Sequence, residues 1–206
     1  MRGLRLKTVI LAITMILVLG GTGVWAQGPP GEVAKKVIEQ ALDILNNPAY
    51  QGPGQKEHRR QLVKRAVDPH FDYREMARQT LEGTWSRLSN AQRDEFVRLF
   101  SELLESSYAD KIEKYVKRVK IDYAGDIIDG DRAEVRTVVV RPNDRIPLNY
   151  RLVNVGGVWK VYDVVIEGVS LVSNYRSQFR RIIHESSYAD LVRRLRTKVS
   201  ELQQTG

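Results

Sequence analysis

Apolar positions along the chain follow two different periods. They recur every three or four residues from about residue 32 to 117, every second residue from 121 to 166, and every three or four again to the end. The first helical stretch runs from Glu32 to about Asn46, with Val33, Val37, Ala41, Ile44 and Leu45 on one face. Asn47-Pro48 and Gly52-Pro53-Gly54 end it, and a short, very basic helix follows from Gln55 to about Ala66, stopped by Asp68-Pro69. Asp72 with Glu75, and Ser89 with Gln92, have the spacing of helix-capping boxes. The first opens a helix carrying Met76, Ala77 and Leu81, closed at Gly83. The second opens the longest helix, reaching about Lys117, with the stripe Phe96, Phe100, Leu104, Tyr108, Ile112, Tyr115 widened by Leu99 and Leu103.

The alternating block predicts four strands, 121–128, 132–140, 148–155 and 158–166. Asp129-Gly130 and Gly156-Gly157 are hairpin signals, so these strands are antiparallel neighbours. From Ser170, as cap, a helix carries Val172, Tyr175, Phe179, Ile182 and Ile183, and a final helix carries Tyr188, Leu191, Val192, Leu195 and Val199. This is an α+β arrangement, a twisted antiparallel sheet packed on one face by helices and enclosing an apolar cavity. The segment Glu167-Gly168-Val169-Ser170 is the joint that turns the last strand into the returning helix.

The N-terminus changes the expected length of the folded part. Arg2, Arg5 and Lys7 precede an eleven-residue run from Val9 to Leu19 in which only Thr14 is polar, and Val24-Trp25-Ala26 resembles a cleavage site before Gln27. That is the layout of a secretory signal peptide, and the run is short of the roughly 20 residues that span a bilayer. Residues 1–26 are therefore read as a cleaved leader and 27–206 as one domain, exported to the periplasm. Removing the leader takes three of the 33 basic side chains and none of the 25 acidic ones, which lowers the net charge from +8 to +5. Mild basicity suits an anionic membrane surface or acidic partner proteins better than nucleic acid, which an exported protein rarely meets. The absence of cysteine removes disulfides, thiolate nucleophiles and thiolate zinc sites together.

Catalytic signatures are missing. The three histidines, His58, His70 and His184, are not at metal-ligand spacing, and the sequence holds no phosphate loop, nucleophile elbow or His-Glu-x-x-His. Asp163 stands mid-strand, where alternation places it on a face with Trp159, Val161 and Val165. A carboxylate there calls for an arginine or backbone N–H as partner. The alternative is a secreted enzyme using Asp163 with a nearby His or Tyr. The sequence as a whole reads as a non-enzyme with no cofactor and no metal.

Two long segments, VYDVVIEGVSLVSNYRSQF (161–179) and FDYREMARQTLEGTWSRLSNAQRDEFVRLFSELLESSYADKIEKY (71–115), resemble the MlaC-type, or toluene-tolerance, family of periplasmic phospholipid-binding proteins. Matching positions include Phe71-Asp72, Met76-Ala77, Leu81, Trp85, Gln92, Phe96, Phe100, Leu103-Leu104 and Tyr108. One departure is Glu82, which stands between Leu81 and Gly83 where many relatives have Leu-Gly directly. The resemblance implies a carrier whose partners are phospholipid, an inner-membrane ABC-type lipid transport complex and an outer-membrane lipoprotein/porin complex, with the protein acting as a monomer. Another lipophile such as a hopanoid, or an envelope adaptor that binds no lipid, are the competing readings.

The lining expected of such a carrier comes from both apolar sources. The helices offer Met76, Leu81, Trp85, Phe96, Phe100, Leu103 and Leu104. The strands offer Val135, Val139, Leu148, Tyr150, Leu152, Val161 and Val165, and the returning helix Val172, Tyr175 and Phe179. Arg141, Arg145 and Arg176 are candidates for contact with lipid phosphate or an acidic partner.

Overall fold

The computed structural model describes residues 28–116 and 119–205, with no side chains described for 110–116 and 205. The leader reading of residues 1–26 and the stripe positions Ile112 and Tyr115 thus lie outside the described residues and side chains. Among the described residues seven α-helices and five strands follow in the order α1 (Pro30–Asn46), α2 (Lys56–Val67), α3 (Tyr73–Leu81), α4 (Gly83–Ser86), α5 (Asn90–Val116), β1 (Lys120–Asp129), β2 (Arg132–Arg141), β3 (Asp144–Val155), β4 (Val158–Ile166), β5 (Val169–Ser170), α6 (Leu171–Glu185) and α7 (Tyr188–Thr205). The strands form one antiparallel sheet in sequential order, β1 to β5. The α+β class and the four long strands agree with the periodicity. The sequence reading starts the third strand at Leu148, whereas β3 begins at Asp144, because Asp144 to Pro147 continue the register opposite Val138 to Arg141.

The two capping boxes behave differently. Ser89 and Gln92 exchange both bonds, Ser89 N–H donating to Gln92 Oε1 at 2.9 Å and Gln92 N–H to Ser89 Oγ at 3.2 Å. Asp72 accepts from Glu75 N–H at 2.9 Å, but its own N–H donates to the Val161 carbonyl of β4. The Glu75 carboxylate is instead bound by Arg78 and Gln79. Half of the local motif has been traded for a tertiary bond that fastens α3 to the sheet.

Two clusters of buried apolar residues result. One is helical: α3, α5, α6 and α7 bring together Met76, Leu81, Phe96, Phe100, Val172, Phe179, Leu191 and Leu195, with Trp85 and Tyr175 packed against them. The other joins Ala34 of α1 to Ala133, Val135, Leu152, Trp159, Val161 and Val164 of the sheet. The helices are therefore divided. The α1–α2 hairpin covers the sheet face that carries Val135, Leu152 and Val161, while α3 and α6 contact β4.

The joint after β4 is built as a latch. Glu167 and Gly168 both take positive φ, 50° and 82°, to reverse the chain, and Ser170 Oγ accepts from Ser173 N–H at 3.0 Å to cap α6. Asp163 lies under this cap, 2% exposed. It accepts from Ser170 Oγ at 2.6 Å, from Val172 N–H at 3.0 Å and from Arg151 at 3.2 Å. A buried carboxylate with three donors is satisfied, and its work is to tie the first turn of α6 to the sheet. Its assignment to the face of Trp159 and Val161 needs correction. Leu152 pairs with Val161 but Arg151 with Asp163, so Tyr162 is an extra residue on β4. This bulge reverses the alternation and sends Asp163 and Val165 to the face opposite Trp159 and Val161.

Candidate functional site

Between the α1–α2 hairpin and the sheet lies a cavity of about 590 Å³. One wall is α1, contributing Val33, Ala34, Val37, Ile38, Ala41, Leu42 and Leu45, with Val63 and Val67 of α2 beside it. Positions i, i+3, i+4 and i+7 of an α-helix share a face, which is why this set converges. The facing wall is the sheet. Val139 of β2, Ile146, Leu148, Tyr150 and Leu152 of β3, and Trp159, Val161, Val164 and Ile166 of β4 line it. The bulge at Tyr162 lets β4 present both Val161 and Val164 to the same space. Phe71, Tyr73 and Met76, with Leu104 and Tyr108 of α5, close the end towards the helical cluster, and Leu171 joins from α6.

Small anchors hold α1 over the sheet. Asp126 of β1 accepts from Gly31 N–H at 3.0 Å in the first turn of α1, which favours a negative charge at that helix end. A Cβ on Gly31 would lie 3.0 Å from Asp126 Oδ2, so a larger residue there would push the carboxylate back by a few tenths of an ångström. Tyr123 places its ring under Lys35 and its hydroxyl at 3.5 Å from the Lys35 carbonyl.

The polar part of the lining is grouped. Lys64 bridges Asp68 at 2.8 Å and Glu105 at 2.6 Å. Burial works against its charged form, yet the two carboxylates outweigh it and hold the ammonium above its ordinary pKa. Asp68 also accepts from the Tyr73 hydroxyl at 2.8 Å. Burial, and then the Asp68 charge, push the Tyr73 phenol up, and burial does the same to Tyr150. His70 is shifted down by burial, then by the charges of Lys160 and Lys36. Arg59, Arg60 and Arg141 also reach the cavity. Among the described residues no group of three or more side chains is placed to hold a metal ion, and no helix is long and apolar enough to cross a membrane. An apolar chamber with charges gathered on part of its wall can take up an amphiphile.

Of the residues expected to line such a chamber, Met76, Leu104, Val139, Leu148, Tyr150, Leu152 and Val161 do so. Leu81, Trp85, Phe96, Phe100, Leu103, Val172, Tyr175 and Phe179 belong to the helical cluster, where aromatic rings fill the space: Phe100 meets Tyr175 at 5.3 Å and Phe96 meets Phe179 at 5.7 Å, both edge to face. Trp85 is flanked by the guanidiniums of Arg74 and Arg93, each at 5.5 Å. Val135 is buried within the sheet cluster beside the cavity, and Val165 is turned away by the bulge. Arg145 pairs with Asp122 at 3.2 Å, and Arg176 donates to the Gln79 carbonyl at 2.9 Å and meets Glu82 at 3.4 Å. The whole α1 wall was absent from the expected lining. Its apolar stripe is plain in the sequence, but nothing local to residues 30–46 says that the facing surface lies some 90 residues downstream.

A Haemophilus influenzae protein named intermembrane phospholipid transport system binding protein MlaC is 24% identical over 147 residues, which is 69% of this chain and 69% of the relative. Toluene tolerance protein ttg2D of Pseudomonas putida is 28% identical over 120 residues, 57% of this chain and 55% of that protein. The phospholipid-binding protein from Ralstonia solanacearum, solved in complex with a phospholipid, has the same fold, with a TM-score of 0.76 at 24% identity over 84% of this chain and 98% of that one. A sequence model of the MlaC protein matches residues 35–197, most of the chain, and the chain belongs to the MlaC family.

Proposed function

We propose that this protein carries a phospholipid by its acyl chains, holding them in the cavity between the α1–α2 hairpin and the sheet. The observation that carries the reading is the cavity of about 590 Å³ itself. Its α1 wall is apolar yet half-exposed at Val33, Val37, Ile38, Ala41 and Leu42, because no side chain opposite fills the space. Each CH₂ moved from water into such a space gains about 0.8 kcal/mol, so two tails supply ample binding energy without a catalyst. The names of the Haemophilus and Ralstonia relatives support a phospholipid as cargo. In this reading the protein acts in the periplasm after loss of residues 1–26, as a monomer passing lipid between an inner-membrane ABC-type complex and an outer-membrane lipoprotein/porin complex. An adaptor without a ligand would be expected to fill this space with side chains, as the helical cluster does.

The test is native mass spectrometry of the mature protein purified without detergent, beside an Ala41→Trp variant that places an indole in the cavity. The wild type should carry a mass increment matching a two-chain phospholipid, and the variant should melt as a folded protein while carrying much less. Bare wild-type protein, or full loading of a folded Ala41→Trp, would refute the assignment.

A further inference from the structure

Strand β1 pairs with β2 alone, and among the described residues its other edge meets no strand and no backbone hydrogen bond. Helix α1 meets β1 through side chains on the cavity face, the Asp126 carboxylate at Gly31 N–H and the Tyr123 hydroxyl at the Lys35 carbonyl. An unpaired row of N–H and C=O groups is a template for another strand, and proteins commonly block it with lysine or proline. Residues 121–131 contain neither, and no arginine, in a chain whose net charge is +8. A bulge at Ala124, with Gly125 at φ 101°, leaves Gly125 to Asp129 as a regular stretch of this edge.

The side chains around the edge describe what fits it. Among the described residues five large apolar side chains are exposed, and three of them, Tyr123, Ile127 and Ile128, are on β1. Ile128 stands in the row of Ala133 and Leu152 towards the cavity, and Ile127 in the row of Glu134 and Arg151 on the opposite face. The surrounding charge is negative. Glu32 and Glu39 of α1 reach the strand: after burial, their charges help push the Tyr123 phenol up to about 12. Lys35 over the Tyr123 ring is a cation beside them. Among the described residues Glu32, Glu39 and Asp129 make no ion pair.

We propose that the β1 edge from Gly125 to Asp129 is a docking strand for an extended segment of a partner protein that carries lysine or arginine at alternate positions. The inference goes beyond the carrier reading and does not depend on what the cavity holds. Main-chain hydrogen bonds along the edge supply the binding, and the alternation of side chains supplies the specificity. On an added strand every second side chain faces the α1 side, where Glu32 awaits a positive charge, and those between lie beside Ile127. A second copy of this chain is a poor occupant, because two β1 edges side by side set Asp126 and Asp129 against the aspartates of the other strand.

The experiment titrates the isotope-labelled mature protein with a blocked peptide alternating lysine with valine, beside one alternating glutamate with valine. Amide chemical shifts and hydrogen exchange locate and measure binding. The lysine peptide should shift and protect amides between Gly125 and Asp129, more weakly as salt rises, and the glutamate peptide should bind at least about tenfold more weakly. Methylating alternate backbone nitrogens of the lysine peptide, on the edge that meets β1, should abolish the protection while keeping the charge. Glu32→Lys and Ile127→Lys should each weaken binding about tenfold, with thermal melting to confirm that both variants fold. Failure of the lysine peptide to bind, equal binding of the two peptides, or protection that maps away from β1 overturns the proposal. So does undiminished affinity in both folded variants. A concentration-dependent dimer that protects these amides without peptide would make a second copy the occupant and overturn it as well.

Discussion

The helical cluster and the sheet-side chamber are made from similar apolar stripes and end in opposite states. Between α3, α5 and α6, rings meet rings: Phe96 and Phe100 are fully buried, and Phe100, Tyr175 and Phe179 interlock at 5.3 to 5.7 Å. Across the chamber, α1 presents valine, alanine, isoleucine and leucine to a sheet face where Tyr150 and Trp159 are the large side chains. The distance between a helix and a sheet is set by their backbones and anchors, so short side chains on the helix leave a gap that long ones would close. The lesson is that side-chain volume on the facing stripe, more than its hydrophobicity, separates a core from a container.

Substitutions that break this contrast should differ in kind as well as size. Phe100→Ala should cost about 4 kcal/mol, since it opens a void in a filled core, and the fraction that remains folded should keep its lipid. Denaturant unfolding with native mass spectrometry checks both; loss of lipid at unchanged stability would place Phe100 in the chamber after all. Asp163→Ala should cost about 3 kcal/mol by leaving Ser170, Val172 N–H and Arg151 without their shared acceptor. Amide hydrogen exchange should then rise first at the start of α6. Asp126→Ala should cost about 1 kcal/mol and free the start of α1 from β1, seen as faster exchange around Gly31 with the helical cluster unaffected.

Leu42→Ala should lower stability by less than about 1 kcal/mol, because the removed atoms face open space rather than a packed partner. Lipid retention should nevertheless fall, and an unchanged lipid content would argue that α1 is not part of the binding wall. The mildest effect concerns acid. The hydrogen bonds from Arg78 hold the Glu75 carboxyl down at about 2, against some opposing burial. A depressed carboxylate stabilises the fold above its unfolded pKa, so this contribution is lost as pH falls from about 5 towards 2. Glu75 also meets Arg132, whose guanidinium stacks on Tyr162 at 4.7 Å, so the loosened contact is that between α3 and the sheet. Glu75→Gln should flatten the acid limb of the stability–pH profile in this range, and an identical profile would refute the assignment.

Departures from local preference mark where tertiary contacts prevail. Glu82 takes φ 47° between α3 and α4, a conformation that suits glycine, and its carboxylate pairs with Arg176 across to α6. Asp72 gives up half of its capping box to bind β4. In each case a long-range bond offsets a local cost, and no window of neighbouring residues contains both halves of the exchange.

Much could be read from the chain alone. Helical and alternating periods, turn residues and caps placed the long elements within a few residues, because those signals act between positions one turn or one hairpin apart. The motif resemblance identified the family for the same reason, being carried by contiguous stretches such as 71–115 and 161–179. What the tertiary structure decided was the partnering of faces. It set Phe96, Phe100 and Phe179 against one another rather than against the sheet, brought α1 over strands far along the chain, and used one extra residue at Tyr162 to turn Asp163 away from the chamber and Val164 towards it. Periodicity says that a stripe must be covered, but the choice of cover depends on the summed shape and volume of surfaces distant in sequence, and that sum exists only in the folded chain.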